Sequence, residues 1–182
     1  HAIGCALMGN LRTNDTMLCI TGTPYDTLHN IIGISGKDNI GSLREYGVNY
    51  KQVDLKDGTF DKESIINVLK EDPSIKLVHI QRSTGYGWRK SFLVSEIGEI
   101  ISVIKEIRSD VVFVDNCYGE LIDTIEPTDV GADLIAGSLI KNLGGGIAPT
   151  GGYIAGKKKY VDQAAFRLTT PGIGGECGST FG

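Results

Sequence analysis

The chain has no Cys-x-x-Cys pair. Cys5, Cys19, Cys117 and Cys177 are widely spread, so metal-site spacing is absent and reduced cysteines in a cytoplasmic protein are the expected state. The three histidines, His1, His29 and His79, are scattered as well, which leaves no metal ligand set; His79 lies inside an apolar run and is expected in the core or at a sheet end. No apolar run approaches the roughly 20 residues of a membrane span, and no basic start is followed by a long apolar core, so no signal peptide is read. Positive charge is not in excess: the net charge is -4 and the pI about 5.4, which argues against a nucleic-acid surface. Nucleotide motifs fail on inspection. There is no Gly-x-x-x-x-Gly-Lys-Ser/Thr, and Gly172-Ile173-Gly174-Gly175-Glu176-Cys177-Gly178 is not Gly-x-Gly-x-x-Gly and has no strand directly before it. Internal repeats, low-complexity tracts and linkers are missing too.

What remains is an ordinary globular balance, with 41% hydrophobic and 22% charged residues over 182 positions, enough for one α/β domain with a proper core. Apolar runs predict strands over 16–21, 49–55, 76–81, 111–115, 134–138 and 153–155. Between them, helical periodicity predicts helices over 1–9 and from Pro24 to Gly33, and a helical turn over 42–47. Asp61 is expected to cap a helix over 62–70, closed by Pro73. Ser95 is expected to cap a helix with Ile97, Ile100, Ile101, Ile104 and Ile107 on one side. A short helix over 119–123 and a last one over 157–168 complete the set. Alternating strands and helices predict a three-layer α/β/α sandwich with a mostly parallel sheet. The strand over 153–155 follows its predecessor too closely for a crossover and is expected to run antiparallel.

The stretch 111–156 carries the chemistry. One apolar run ends in Asp115; a second ends in Ser138, with Lys141 three residues on and three glycines directly after Leu143. Pyridoxal phosphate (PLP) binds as a Schiff base and needs a lysine amine that can be made neutral, and its ring nitrogen is commonly paired with an acid. Open α/β sheets bind ligands beyond the carboxyl ends of their strands. Lys141 is therefore the candidate Schiff-base lysine and Asp115 the candidate partner of the ring nitrogen. Ser138 is a candidate hydroxyl for the phosphate. Tyr25, just after the first strand, is placed to stack on the ring. Gln81, Arg82 and Ser83 leave the third strand on the same rim, where one of them can bond the cofactor's phenolic oxygen. Arg82 or Arg89 can bind a substrate carboxylate, and Tyr118 can contact ligand or partner. Cys117 has no histidine near it in sequence and reads as a packing residue.

These residues resemble the methionine gamma-lyase-like family, also known as aluminium resistance proteins, of fold-type I PLP enzymes. The likeness is carried by Thr21-Gly22-Thr23-Pro24-Tyr25-Asp26-Thr27, Ile80-Gln81-Arg82-Ser83, Val114-Asp115-Asn116-Cys117-Tyr118-Gly119-Glu120, Glu126-Pro127-Thr128-Asp129-Val130-Gly131-Ala132-Asp133, the run 137–156, and Arg167-Leu168-Thr169-Thr170-Pro171-Gly172-Ile173-Gly174. It extends over essentially the whole chain. The resemblance implies Lys141 as Schiff-base lysine, Asp115 as pyridinium partner, Tyr25 as stacking residue and Ser138 near the phosphate. It also implies a homodimer or homotetramer with active sites at subunit interfaces, and carbon–sulfur lyase activity on a sulfur amino acid. No site for a trivalent aluminium cation is visible.

In family members a Ser-Gly-Thr loop precedes the residue matching His1 and holds the phosphate at a helix N-terminus, and a small C-terminal domain completes the substrate site. Neither is in these residues. The expectation is a PLP-binding large domain over 1–182, a piece of a longer protein, with His1 at the edge of the phosphate site. Two missing charge-assisted hydrogen bonds at about 1.5–3 kcal/mol each weaken cofactor affinity roughly 10²–10⁴-fold, so this piece can hold the fold without the activity. Two rivals stand beside the lyase: another reaction of the same cofactor, such as transamination or decarboxylation, and a non-catalytic domain that keeps the fold.

Overall fold

The computed structural model describes residues 1–176, which leaves Cys177 outside the described residues. Helix α1 covers Ala2–Asn10, strand β1 Thr16–Cys19 and helix α2 Asp26–Ile32. A 3₁₀ turn, Arg44–Tyr46, leads to β2, Asn49–Gln52. Then follow α3 (Lys62–Glu71), β3 (Ile75–Gln81), α4 (Val94–Ile107) and β4 (Val111–Asp115). A second 3₁₀ turn, Pro127–Val130, precedes β5 (Leu134–Ser138), β6 (Gly152–Gly156) and α5 (Lys158–Ala165). The sheet order is β2-β1-β3-β4-β5-β6. All pairs are parallel except β5 with β6.

Period-two alternation divides the core between the two faces of this sheet. Leu18, Ile20, Val78, Ile80, Val112 and Val114 pack against α3 and α4, through Ile65, Leu69, Ile97, Ile100 and Ile104. On the other face, Met17, Leu77, Phe113, Leu134 and Ala136 pack against α1 and α2 through Leu7, Leu28 and Ile32, with Tyr160 and Val161 of α5 alongside. Both faces are covered, which is why the inner strands read as near-continuous apolar runs. His79 is fully buried against Phe113, with ring centroids 5.5 Å apart. Burial pulls its pKa down to about 4, so it is a neutral core residue at physiological pH.

Four expectations are corrected. Helix α4 is capped two residues ahead of Ser95: Leu93 holds the cap, its amide donating to the Glu96 carboxylate at 2.9 Å. No helix forms over 119–123: Leu121 takes a left-handed φ of 61°, and the Gly119 carbonyl accepts from the Ile122 amide at 3.3 Å as an isolated turn, as well as from Arg82 at 2.7 Å. Strand β2 stops at Gln52, and α5 stops at Ala165. The Asp61 cap forms as read, with the Ser64 amide donating to it at 3.1 Å.

Asp133 ties the amino-terminal end of the sheet together. It is 1% exposed. Its carboxylate accepts from the Val112 amide at 2.8 Å, pairs with Lys157 at 2.6 Å and contacts Lys105. Burial pushes its pKa up, but Lys105, Lys157 and the Val112 amide outweigh burial and hold it below the usual carboxylate range. A depressed folded-state pKa gives stability that is present above the unfolded value, near 4, and is lost as pH falls through the folded value. Asp133→Asn is expected to cost about 3 kcal/mol at pH 7, because a buried charge cluster loses its centre. The gap to wild type should close below about pH 4 in denaturant titrations; a gap independent of pH would show that charge is not the cause.

Candidate active site

A cavity of about 970 Å³ opens at the carboxyl ends of the parallel strands. The order β2-β1-β3 places its floor where the chain leaves β1 in one direction and β3 in the other, the switch point at which open α/β sheets take ligands. Its wall includes His1, Tyr25, Asp115, Tyr118, Ser138 and Lys141.

Strand β4 delivers the acid. Val111 to Val114 are buried, and Asp115, 4% exposed, is the last residue of the strand. The Cys117 amide donates to Asp115 Oδ1 at 3.1 Å. It is the one nitrogen donor to this carboxylate among the described residues, and Asp115 lines the cavity.

Strand β5 delivers the lysine. After Ser138 the chain turns on the bonds Lys141 N–H to the Ser138 carbonyl, 3.4 Å, and Gly145 N–H to the Lys141 carbonyl, 2.8 Å. A Cβ on Gly144 would lie 1.7 Å from the Leu139 carbonyl oxygen, and Gly146 has a φ of 82°. The glycines therefore serve closure of the lysine turn itself. Lys141 Nζ lies 4.4 Å from the centroid of the Tyr118 ring. Burial pulls the Lys141 pKa down, but the Cys117 sulfur, Tyr118 and Asp115 outweigh it and the net shift is upward.

Tyr25 sits at the N-cap of α2, and its amide donates to Gln81 Oε1 at 2.6 Å. Its ring faces that of Tyr86, 5.6 Å away and tilted by 34°. His1 caps α1, accepting from the Cys5 amide at 2.9 Å. The amides of Ala2, Ile3 and Gly4 precede that first intrahelical bond, so the positive end of α1 abuts the cavity. The Ser138 hydroxyl has no protein hydrogen-bond partner among the described residues.

Three residues of the sequence reading do not reach the cavity. Gln81 is buried, accepting from Tyr25 and donating to the Ser83 carbonyl at 3.2 Å, so it positions Tyr25. Arg82 is 3% exposed and committed to Asn116, Gly119, Phe92 and Asp123 behind the sheet. Arg89 donates to the carbonyls of Gln81, Ser83 and Lys90 and lies 4.9 Å over Phe92. Neither guanidinium is available to a substrate carboxylate. Cys117, read as packing, lines the cavity beside Lys141; burial, with Asp115 nearby, raises its thiol to about 12, so it is not a nucleophile at neutral pH. Sequence reasoning missed the contact of Tyr118 with Lys141. It requires Tyr118 in the left-handed region, φ 63°, and no sequence signal announces that.

The donor set fits PLP. Asp115 offers an oxygen to a protonated ring nitrogen, Lys141 an amine to an aldehyde carbon, and Tyr25 an aromatic face. Ser138 and the α1 amides offer donors to a phosphate.

Comparison with known proteins bears on the same residues. The family model described as Methionine gamma-lyase matches residues 1–182. The uncharacterized protein YnbB of Bacillus subtilis (strain 168) is 52% identical over 183 residues, covering 100% of this chain and 43% of YnbB. The crystal structure of a carbon–sulfur lyase involved in aluminum resistance from Clostridium novyi NT is 63% identical, with TM-score 0.93, covering 100% of this chain and 43% of that one. The chain thus spans less than half the length of these relatives. At the level of fold alone, the pyridoxal-5'-phosphate-dependent protein YhfS from Escherichia coli matches with TM-score 0.70 at 16% identity, over 94% of this chain and 41% of that one.

Proposed function

Because this chain belongs to the methionine gamma-lyase family, we propose that it is the cofactor-binding part of a PLP-dependent carbon–sulfur lyase acting on a sulfur amino acid. The observation that carries the reading is the meeting of Asp115 and Lys141, from the ends of two adjacent parallel strands, on one cavity with Tyr25 and Ser138. When bound, PLP supplies an electron sink for a bond broken at the substrate α-carbon. Lys141 would hold the cofactor through its amine and, once a substrate amine displaced it, would take the proton from the α-carbon as general base. Asp115 would accept the ring N–H and keep the positive charge there. Tyr25 would cover the ring, and Ser138 would donate to a phosphate oxygen. Tyr118 faces the lysine and steadies its cationic form. The net reaction would consume one water and give a thiol, an oxo acid and ammonia.

Self-association is part of the proposal. Leu121, Ile122 and Ile147 are exposed large apolar side chains, the last of them 91% exposed and on the same loop as Lys141. A second copy of the chain is the partner that covers them in this reading.

The test is an absorbance spectrum with added PLP before and after borohydride, followed by peptide mapping. A near-visible band locked by reduction onto Lys141 supports the reading, and release of thiol together with ammonia separates elimination from transamination. Reduction onto other lysines alone would overturn it.

A further inference from the structure

The sheet face opposite the cavity carries a polar network that no part of the proposed chemistry uses. At its centre is Arg82, the residue after β3, 3% exposed. Its Nη1 donates to Asn116 Oδ1 at 2.9 Å and to the Gly119 carbonyl at 2.7 Å; its Nε donates to the Phe92 carbonyl at 3.2 Å; its Nη2 pairs with Asp123 at 2.7 Å. Only a planar fork of fixed donors satisfies four groups in these directions. Two of the four, Asn116 and Gly119, bracket Cys117 and Tyr118, which form the cavity wall around Lys141.

A second bond reaches the lysine from its own side. Asn142 Nδ2 donates to the Glu120 backbone carbonyl at 3.0 Å. Glu120 is 2% exposed, and its Oε1 accepts from the Tyr153 hydroxyl at 3.0 Å. That hydroxyl in turn accepts from Asn116 at 3.3 Å. The Glu120 carboxyl fits only because residue 137 is glycine: a Cβ there would lie 2.2 Å from Oε1. Its Oε2 is buried with no hydrogen-bond partner among the described residues, a desolvation cost set against the contacts Glu120 makes. The turn after β4 and the turn after β5 are therefore fastened to each other and to Arg82.

We propose that Arg82 and Asn142 are positioning residues that lock the Asn116–Glu120 turn to the lysine turn, and so fix where the Lys141 amine stands against Tyr118 and Cys117. Arg82 does this from behind the sheet, without touching ligand. The inference rests on the reading of Lys141 as the reactive amine, and its test needs no cofactor.

Reductive methylation with formaldehyde and cyanoborohydride, mapped to Lys141 across pH, reports the amine's surroundings directly. Lys141 Nζ stands 4.4 Å over the Tyr118 ring, a contact that favours the charged amine, so loosening the lock weakens it and frees the neutral form. In Arg82→Lys and Asn142→Ala, Lys141 should be methylated about two- to fivefold faster at pH 8–9, the scale of one weakened cation–π contact. Asp133→Asn, destabilised at the far end of the sheet, should methylate Lys141 as wild type does, which a general loosening of the fold would not allow. Asn142 is solvent-exposed, so its variant decides the matter should Arg82→Lys not fold. Wild-type methylation in both variants overturns the lock and leaves the cofactor reading intact. A full-length protein that refuses PLP, together with faster methylation in the variants, overturns the cofactor reading and leaves the lock.

Discussion

In the full-length protein, Lys141→Ala is expected to abolish capture of PLP by borohydride and to lower turnover by about 10⁴-fold or more, the scale reached when one residue that is both nucleophile and base is removed. The side chain is half-buried over Tyr118 and makes no hydrogen bond that holds an element together, so the variant should fold with little loss of stability. Lys141→Arg sharpens the result. Arginine keeps a cation over the Tyr118 ring but cannot lose its proton at any working pH. It should match wild type in thermal unfolding and match the alanine variant in cofactor capture and turnover. Peptide mapping after reduction is the deciding measurement. Wild-type labelling of another lysine in Lys141→Ala, with turnover intact, would remove Lys141 from the chemistry and revive the reading of a domain that keeps the fold alone.

The fold was legible in the sequence because the two covered faces of a parallel sheet leave a strong record. Leu77 to Ile80 and Val111 to Val114 are buried on both sides, and such runs cannot be mistaken for amphipathic helices. The antiparallel β6 was legible for a different reason, the shortness of its connection. Asp115, Ser138 and Lys141 were legible because each stands directly beyond a strand end, where the backbone alone fixes which rim a residue occupies. The arginines were not. Rim position alone does not say through which face of the sheet a side chain turns, and Arg89 lies eight residues past the end of β3, where no strand period reaches it. Gln81 and Arg82 are adjacent, so period two sends them to opposite faces: Gln81 to Tyr25 beside the cavity, Arg82 to Asn116 behind it. The helix expected over 119–123 failed for the same cause. A buried guanidinium from beyond a distant strand shares the Gly119 carbonyl with the Ile122 amide, and the left-handed Leu121 stops the turn from continuing as a helix.

Asp115→Asn is expected to separate holding the cofactor from using it. The substitution is nearly isosteric, and the asparagine Oδ1 still accepts the Cys117 amide that the carboxylate accepts at 3.1 Å, so the turn carrying Cys117 and Tyr118 should keep its shape. Lys141 is untouched, and borohydride should still lock PLP onto it. What disappears is the negative charge, on a side chain 4% exposed where water screens little. A neutral amide cannot balance a protonated ring nitrogen, so electrons leaving the α-carbon meet a weaker sink. Loss of one charge-stabilising contact in such a site lowers turnover by about 10²–10³-fold. Restoring the charge one methylene further out, in Asp115→Glu, should recover part of that loss. Single-turnover kinetics on PLP-loaded, unreduced protein, with borohydride capture run on a separate sample, distinguish the cases. If Asp115→Asn captures PLP and turns over at the wild-type rate, the acid is only the anchor of the Cys117 turn, and another group must balance the ring. Capture on Lys141 with turnover reduced in Asn and partly restored in Glu assigns the charge itself to the chemistry.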